Sequence, residues 1–279
     1  MSNIQTVRAV LFTSLLFPAL CSMAETPSPE DIHVSNWLAF LETSDFNHNP
    51  ISCHAVVIHK NWALTTSDCV PKPLSEITIQ KPSVQKIMLR FSAESNQKYD
   101  QVEVSDVRRP STYHTSQPVL LKLKSPLNPP FPTLSFKTHS WFDGLEGRYP
   151  LWTVYYLERM KRPSHLLVSR PEINVFSHPV KIKDQSDCIP RVKGLDWKIC
   201  SIPEGFGEVL SSDFQRGSVL LDENFAVTGL GYELDQKNTT MEMNYFMPLG
   251  LSPFVRFIKE HTGIDKPRET KQMKNFSEL

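Results

Sequence analysis

The sequence has no excess of charge of either sign, because its 30 lysine and arginine residues equal its 30 aspartate and glutamate residues. Proteins that bind nucleic acid or anionic membrane surfaces commonly carry a basic patch or tail, and the bulk charge predicts neither partner. The sequence also lacks the His-x-x-x-His spacing and the carboxylate clusters typical of metal sites. We therefore expect no nucleic-acid partner, no metal and no cofactor.

Long hydrophobic runs are missing except near the amino terminus. The apolar run from Ala9 to Leu20 follows Arg8 and contains Pro18, and it is shorter than the roughly 20 residues that span a bilayer. Small residues ending at Ala24 follow it, which is typical of a secretory signal peptide. We predict a signal peptide over residues 1–24, an exported remainder and no membrane span.

Cysteine is scarce, with five residues in the chain, and Cys21 is lost with the predicted signal peptide. The other four, Cys53, Cys69, Cys188 and Cys200, form an even set in an exported protein, where cysteines are normally oxidised. Two disulfides are expected. Four cysteines allow three pairings, and the spacing alone does not choose among them.

Two triplets match the acceptor pattern for N-linked glycosylation, at Asn238 and at Asn275. The pattern has meaning only for an exported chain. Asn238 lies in a polar, turn-like stretch and is the better candidate of the two.

Short apolar segments recur along the chain, separated by proline and polar turn residues. This alternation is typical of an all-β sandwich or barrel. The segment 252–262 is the one convincing amphipathic helix, with Ser252 as its predicted N-cap, Pro253 at its first helical position and Gly263 as its stop. The predicted strands include 56–58, 87–91, 119–123, 151–156, 166–168 and 218–221.

The segment from Cys53 to Cys69 resembles the part of trypsin-like serine proteases that carries the catalytic histidine. It keeps both cysteines at the family spacing, together with Trp62, Leu64 and Thr65. The resemblance implies two packed six-stranded antiparallel β-barrels and a closing α-helix. It also implies the pairings Cys53 with Cys69 and Cys188 with Cys200.

The resemblance also sets the domain boundaries. It implies a trypsin-like domain over 25–265, with barrels at roughly 34–130 and 140–250 and the helix at 252–262. The proline-rich stretch 126–132 is the predicted crossover between the barrels. Residues 266–279 are polar and interrupted by proline, which predicts a flexible tail.

The positions that carry chemistry in this family are all altered. Asp68 stands where the family has the catalytic histidine, Gln117 where it has the aspartate, and Gln215 where it has the serine. Asp213 replaces the glycine of the oxyanion hole, and Phe214 replaces the aspartate that receives the new amino terminus on activation. A carboxylate cannot accept and return a proton near neutral pH as imidazole does, and a carboxamide is not a nucleophile.

Other candidate groups do not restore the triad. Ser218 occupies the position of a family proline and begins a strand, so we do not expect it to act as a displaced nucleophile. His54, His59 and His114 fall near the position of the cleft, but an isolated histidine is more often packed or solvated than catalytic. The shortage of glycine, with 10 residues in all, predicts a filled cleft, because the family uses glycine to open its pocket.

Three hypotheses remain open at this stage. The leading one is a secreted, monomeric, catalytically inactive protease homologue that binds another secreted or cell-surface protein. The resemblance extends to mammalian inactive homologues, several of them associated with testis and sperm, which implies a role in male reproduction and a location in sperm or the acrosome. The alternatives are a serine hydrolase with a rearranged active site, and a decoy or cofactor for protease inhibitors or zymogens.

Overall fold

The structure is a computed structural model of the chain. It describes residues 34–44, 50–70, 86–110, 117–137, 151–159, 173–184, 198–204, 216–232 and 243–264.

Six antiparallel strands close into a first barrel in the order β1-β2-β3-β6-β5-β4. These strands are β1 Leu38–Ser44, β2 Pro50–His59, β3 Trp62–Thr66, β4 Met88–Arg90, β5 Gln101–Arg108 and β6 Pro118–Leu123. Closure of the ring leaves no open edge in this barrel.

A second closed barrel follows, in the order β10-β11-β12-β9-β8-β7. Its strands are β7 Leu151–Arg159, β8 Ile173–Ile182, β9 Ile199–Pro203, β10 Val219–Leu221, β11 Val227–Gly231 and β12 Asn244–Pro248. The predicted fold class, two six-stranded antiparallel barrels with a closing helix, is confirmed. The predicted strand at 166–168 lies outside the described residues.

The main hydrophobic core runs through both barrels, and a second, smaller cluster lies in the second barrel. The main core includes Leu41 and Leu121 of the first barrel and Leu157 and Leu230 of the second, each of them 0% exposed. Strand β11 is buried along its whole length and contacts β3 of the other barrel. Because both faces of β11 are covered, the strand contains no charged residue.

The proline-rich crossover is anchored at both ends. On the first barrel, the Leu127 N–H donates to the Lys60 carbonyl at 2.8 Å. On the second, the Val227 N–H donates to the Thr133 carbonyl at 2.9 Å, and the Ser135 N–H donates back to the Val227 carbonyl at 2.8 Å. The crossover therefore joins the barrels through backbone hydrogen bonds as well as through the chain.

The closing helix, α1, spans Ser252–Thr262 and buries Phe254, Phe257 and Ile258. The prediction of Ser252 as N-cap was wrong. Leu251 occupies that position in an extended conformation, and the serine lies in the first turn with Pro253. Gly263 ends the helix at φ 73°, in the left-handed region, as predicted from its freedom to adopt that conformation.

No helix in the described part of the chain is long and apolar enough to cross a membrane.

Candidate functional site

Asp68 and Gln117, two of the predicted triad positions, lie close together where β3 and β6 approach. Asp68 is the middle residue of a 3₁₀ turn, Ser67–Cys69, that follows β3. The Ser67 N–H donates to the Gln117 carbonyl at 2.8 Å, and the Gln117 N–H donates to Ser67 Oγ at 3.1 Å. Gln117 is only 3% exposed. Asp213, Phe214 and Gln215 lie outside the described residues.

A disulfide between Cys53 and Cys69 holds this turn against β2, with Cα atoms 5.7 Å apart. This pairing, which the resemblance implied, is confirmed. Cys200 is also disulfide-bonded, and its predicted partner, Cys188, lies outside the described residues. The predicted glycosylation sites Asn238 and Asn275 lie outside them too.

The Asp68 carboxylate is enclosed. Both of its oxygens are shielded from solvent, although the residue as a whole is partly exposed. Its neighbour Tyr232 follows β11 and is 0% exposed. Burial, the nearby Tyr245 and the Asp68 charge all raise the pKa of Tyr232, so this phenol stays protonated. The predicted position of the catalytic histidine is thus occupied by a covered carboxylate near a buried phenol.

Tyr232 belongs to a row of buried polar side chains within the second barrel. The Tyr232 N–H donates to the Tyr245 carbonyl at 3.1 Å, and the two rings are 6.4 Å apart. Lys198, 2% exposed, places Nζ 5.3 Å from the Tyr245 ring centre, within the range of a cation–π contact. Sequence reasoning missed all three residues, because no spacing or motif shows that a tyrosine or lysine of the second barrel is buried.

His54, beside Cys53 in β2, is fully buried and joins the two barrels. Nδ1 lies 2.9 Å from the Arg216 carbonyl oxygen, and Nε2 lies 2.9 Å from the Leu157 carbonyl oxygen. The His54 backbone N–H also donates to Arg216, at 3.0 Å. Both ring nitrogens face carbonyls, so neither is presented to a substrate. The histidine is packed.

Burial lowers the pKa of His54, and the carbonyl contacts from Leu157 and Arg216 oppose that effect. Desolvation is the larger cause, since the ring has no access to water and a buried imidazolium loses its hydration. Burial favours the neutral ring, which has one N–H and can donate it to only one of the two carbonyls. His59 lies apart, with Nδ1 accepting the Asn61 N–H at 3.3 Å, and His114 lies outside the described residues.

Gly217 fits directly against the His54 backbone. Its φ is 73°, and a Cβ there would lie 2.2 Å from the His54 carbonyl oxygen. Its N–H donates to the Gly231 carbonyl at 2.7 Å. The next residue, Ser218, is 0% exposed, so its hydroxyl is not presented as a nucleophile. In the described part of the chain, no cluster of three or more potential metal ligands occurs.

The lowered pKa of His54 gives a signed pH prediction. An unfolded histidine has a pKa near 6.5, so below about pH 6.5 the unfolded chain binds a proton that the folded chain resists, and the free energy of unfolding falls with pH. His54→Gln should remove this component. Chemical denaturation between about pH 7.5 and 5 should show a steeper loss of stability in the wild type than in the variant. Parallel curves would contradict the assignment.

Gly217→Ala should destabilise the protein by about 2 kcal/mol or more, because the new Cβ combines a left-handed backbone with a clash against His54. Gly263→Ala is a matched control, since it has the same φ of 73° but nothing within 4 Å of the added Cβ, and it should cost about 1 kcal/mol. Denaturant titration measures both. Equal losses would mean that the contact with His54 contributes nothing.

Comparisons with known proteins agree with the geometry at the level of the fold. No model of a known protein family and no curated protein matches the sequence. Among solved structures, a scabies mite inactivated protease paralogue matches at 17% identity and TM-score 0.55, over 83% of this chain and 96% of that chain. A second such paralogue matches at 12% identity and TM-score 0.56, over 85% of this chain and 97% of that chain.

Neuropsin, a serine protease expressed in mouse brain, also matches, at 16% identity and TM-score 0.53, over 82% of this chain and 95% of that chain. Similarity at this level of identity concerns the fold. The chain therefore has the two-barrel fold of the trypsin-like serine proteases.

Proposed function

We propose that this chain is an exported, catalytically inactive homologue of the trypsin-like proteases that acts by binding another secreted or cell-surface protein. The observation that carries the proposal is the enclosure of Asp68 beside Tyr232. A general base must reach the proton that it removes and must have a pKa matched to the working pH. A carboxylate with shielded oxygens does not meet the first condition.

The surrounding groups offer no substitute among the described residues. Gln117 supplies a neutral amide where an anion would stabilise an imidazolium. His54 has both ring nitrogens at carbonyl oxygens, and Ser218 is buried. Gln117, His54 and Ser218 lie in three different segments of the chain. A single substitution at one of them would therefore not rebuild a set of groups able to transfer a proton.

The likeness to the two scabies mite inactivated protease paralogues supports the same reading, because their names record that this fold occurs in inactivated forms. A fold does not fix a function, and function must be argued from the site. The shielded Asp68 carboxylate and the inactivated structural neighbours both support the proposal of an inactive homologue.

Export is supported by the signal-like segment at residues 1–24 and by the Cys53–Cys69 disulfide, since disulfides persist in oxidising compartments. The proposal of a reproductive role rests on the resemblance to mammalian inactive homologues alone. Transcript and protein profiling across tissues would test it, and expression confined to non-reproductive tissue would remove it.

The absence of catalysis can be tested on the purified exported protein. We expect no covalent labelling by a fluorophosphonate probe and no hydrolysis of peptide or ester substrates, with an active trypsin-like protease as positive control. Asp68→His alone should not restore activity, because Gln117 and Gln215 remain. Labelling that disappears on substitution of one serine would overturn the proposal in favour of a rearranged hydrolase.

The binding role needs its own experiment. We expect the tagged full-length exported chain to recover a defined protein from the secretions or cell surface of the tissue that makes it. The interaction should be lost after reduction of Cys53–Cys69, which should destabilise the first barrel by roughly 2–4 kcal/mol. A protease, inhibitor or zymogen as the recovered protein would favour the decoy or cofactor hypothesis. Recovery of nothing above a tag-only control would contradict a binding role.

A further inference from the structure

The His54 ring has more carbonyl neighbours than a neutral imidazole can use. Nδ1 lies 2.9 Å from the Arg216 carbonyl oxygen, and Nε2 lies 2.9 Å from the Leu157 carbonyl oxygen. A neutral imidazole carries one N–H, and its other nitrogen presents a lone pair. One of the two contacts therefore sets a nitrogen lone pair against an oxygen that can only accept. A proton on that nitrogen would convert the contact into a second hydrogen bond.

In the closed structure that proton would be buried with the ring, because His54 is 0% exposed. Burial is the largest of the causes that shift the pKa of His54, and it lowers that pKa against the opposing effect of the two carbonyls. The closed structure therefore resists protonation, whereas a conformation in which water reaches the ring accepts it. As the pH falls, the open conformation gains on the closed one.

The elements around the ring do not compensate for a buried positive charge. Phe40 of β1 meets the His54 ring edge to face, with ring centres 6.0 Å apart, and the Thr65 hydroxyl of β3 donates to the His54 carbonyl at 2.7 Å. In the described part of the chain, the charged side chains on these elements, on β7 and beside the ring do not act on the pKa of His54. They are Glu42, Asp68, Glu158 and Arg216.

The two carbonyls differ in how firmly the chain holds them. Leu157 lies within β7, which pairs with β8 without interruption from Leu151 to Arg159. Arg216 and Gly217 precede β10 and lie outside any strand. Their backbone meets β2 where the His54 N–H donates to the Arg216 carbonyl at 3.0 Å. A segment outside a strand opens at a lower free energy than the middle of a continuous ladder, so the segment 216–217 is the part that can move.

We propose that His54 is a pH-sensitive latch, which holds the segment 216–217 against β2 while the ring is neutral and releases it when the ring gains a proton. Histidine titrates between about pH 5 and 8, so the latch responds within the range that exported proteins meet. The segment directly follows Gln215, the predicted position of the nucleophile. Release would therefore change the surface that this region offers to a partner. The inference goes beyond the proposed function and does not depend on it.

Hydrogen exchange on the full exported protein reads the latch at two amides. The His54 N–H donates to Arg216, and the Gly217 N–H donates to the Gly231 carbonyl at 2.7 Å. After correction for intrinsic rates, protection of both amides should fall by up to about tenfold for each pH unit below about pH 6.5. The Leu123 and Leu249 amides, each bonded within a single barrel, are the internal controls.

The comparison with these controls separates local release from global unfolding. At about pH 5.5 the His54 and Gly217 amides should exchange about tenfold or more faster than the Leu123 and Leu249 amides. Low concentrations of urea should accelerate the controls but not the latch amides, because a local opening exposes little surface. If all four amides exchanged at the same rate and with the same dependence on urea, the proposal would be overturned.

Histidine variants test whether the ring itself is the sensor. His54→Gln has no titrating ring, so the pH dependence at the Gly217 amide should disappear. His59→Gln is the matched control and should keep it. Should His54→Gln fail to fold, the ¹⁵N signals of the ring give the answer in the wild type, where one ring nitrogen should be unprotonated at about pH 7. Two protonated nitrogens at that pH, or a pH dependence that survives in His54→Gln, would contradict the latch.

Discussion

The contact of His54 with two carbonyl groups is the interaction on which the arrangement of the barrels depends. The ring belongs to the first barrel, and the carbonyls belong to segments 103 and 162 residues further along the chain. The Cys53–Cys69 disulfide fixes the same strand from within its own barrel. His54 also restricts the residue type at position 217, because a Cβ there would clash with the His54 carbonyl oxygen. Only glycine fits at this position. The His54 side chain therefore has a structural role.

Fold and chemistry have separate physical requirements in this chain. The fold requires a continuous apolar core, a closed ladder in each barrel and a helix whose apolar face is covered. Residues such as Leu41, Leu121 and Phe257 meet these requirements. General base catalysis requires a base that can reach the proton it removes, and both carboxylate oxygens of Asp68 are shielded from solvent. The residues that hold the fold together are therefore separate from the position at which catalysis is expected.

Local sequence patterns predicted the elements whose environment is local. Residue spacing and turn chemistry were enough to locate several segments. These are β2 and β3, marked by their two cysteines, β6, marked by its apolar run, and α1, marked by its proline and glycine. Strand β8 was missed, since its exposed and half-buried positions follow no clear alternation. The burial of His54, Tyr232 and Lys198 was beyond sequence reasoning, because it depends on contacts between segments far apart in the chain. The N-cap was misassigned to Ser252 because a favourable residue type lay one position inside the helix.

The second barrel meets the first through backbone groups that are already paired. The His54 backbone N–H donates to the Arg216 carbonyl at 3.0 Å, and the His54 ring lies 2.9 Å from that carbonyl oxygen and from the Leu157 carbonyl oxygen. A Cβ at Gly217 would lie 2.2 Å from the His54 carbonyl oxygen, so the chain leaves no space there for a side chain. Because a buried surface whose polar groups are satisfied has little to gain from a ligand, this contact between the barrels is better suited to holding the fold together than to recognition.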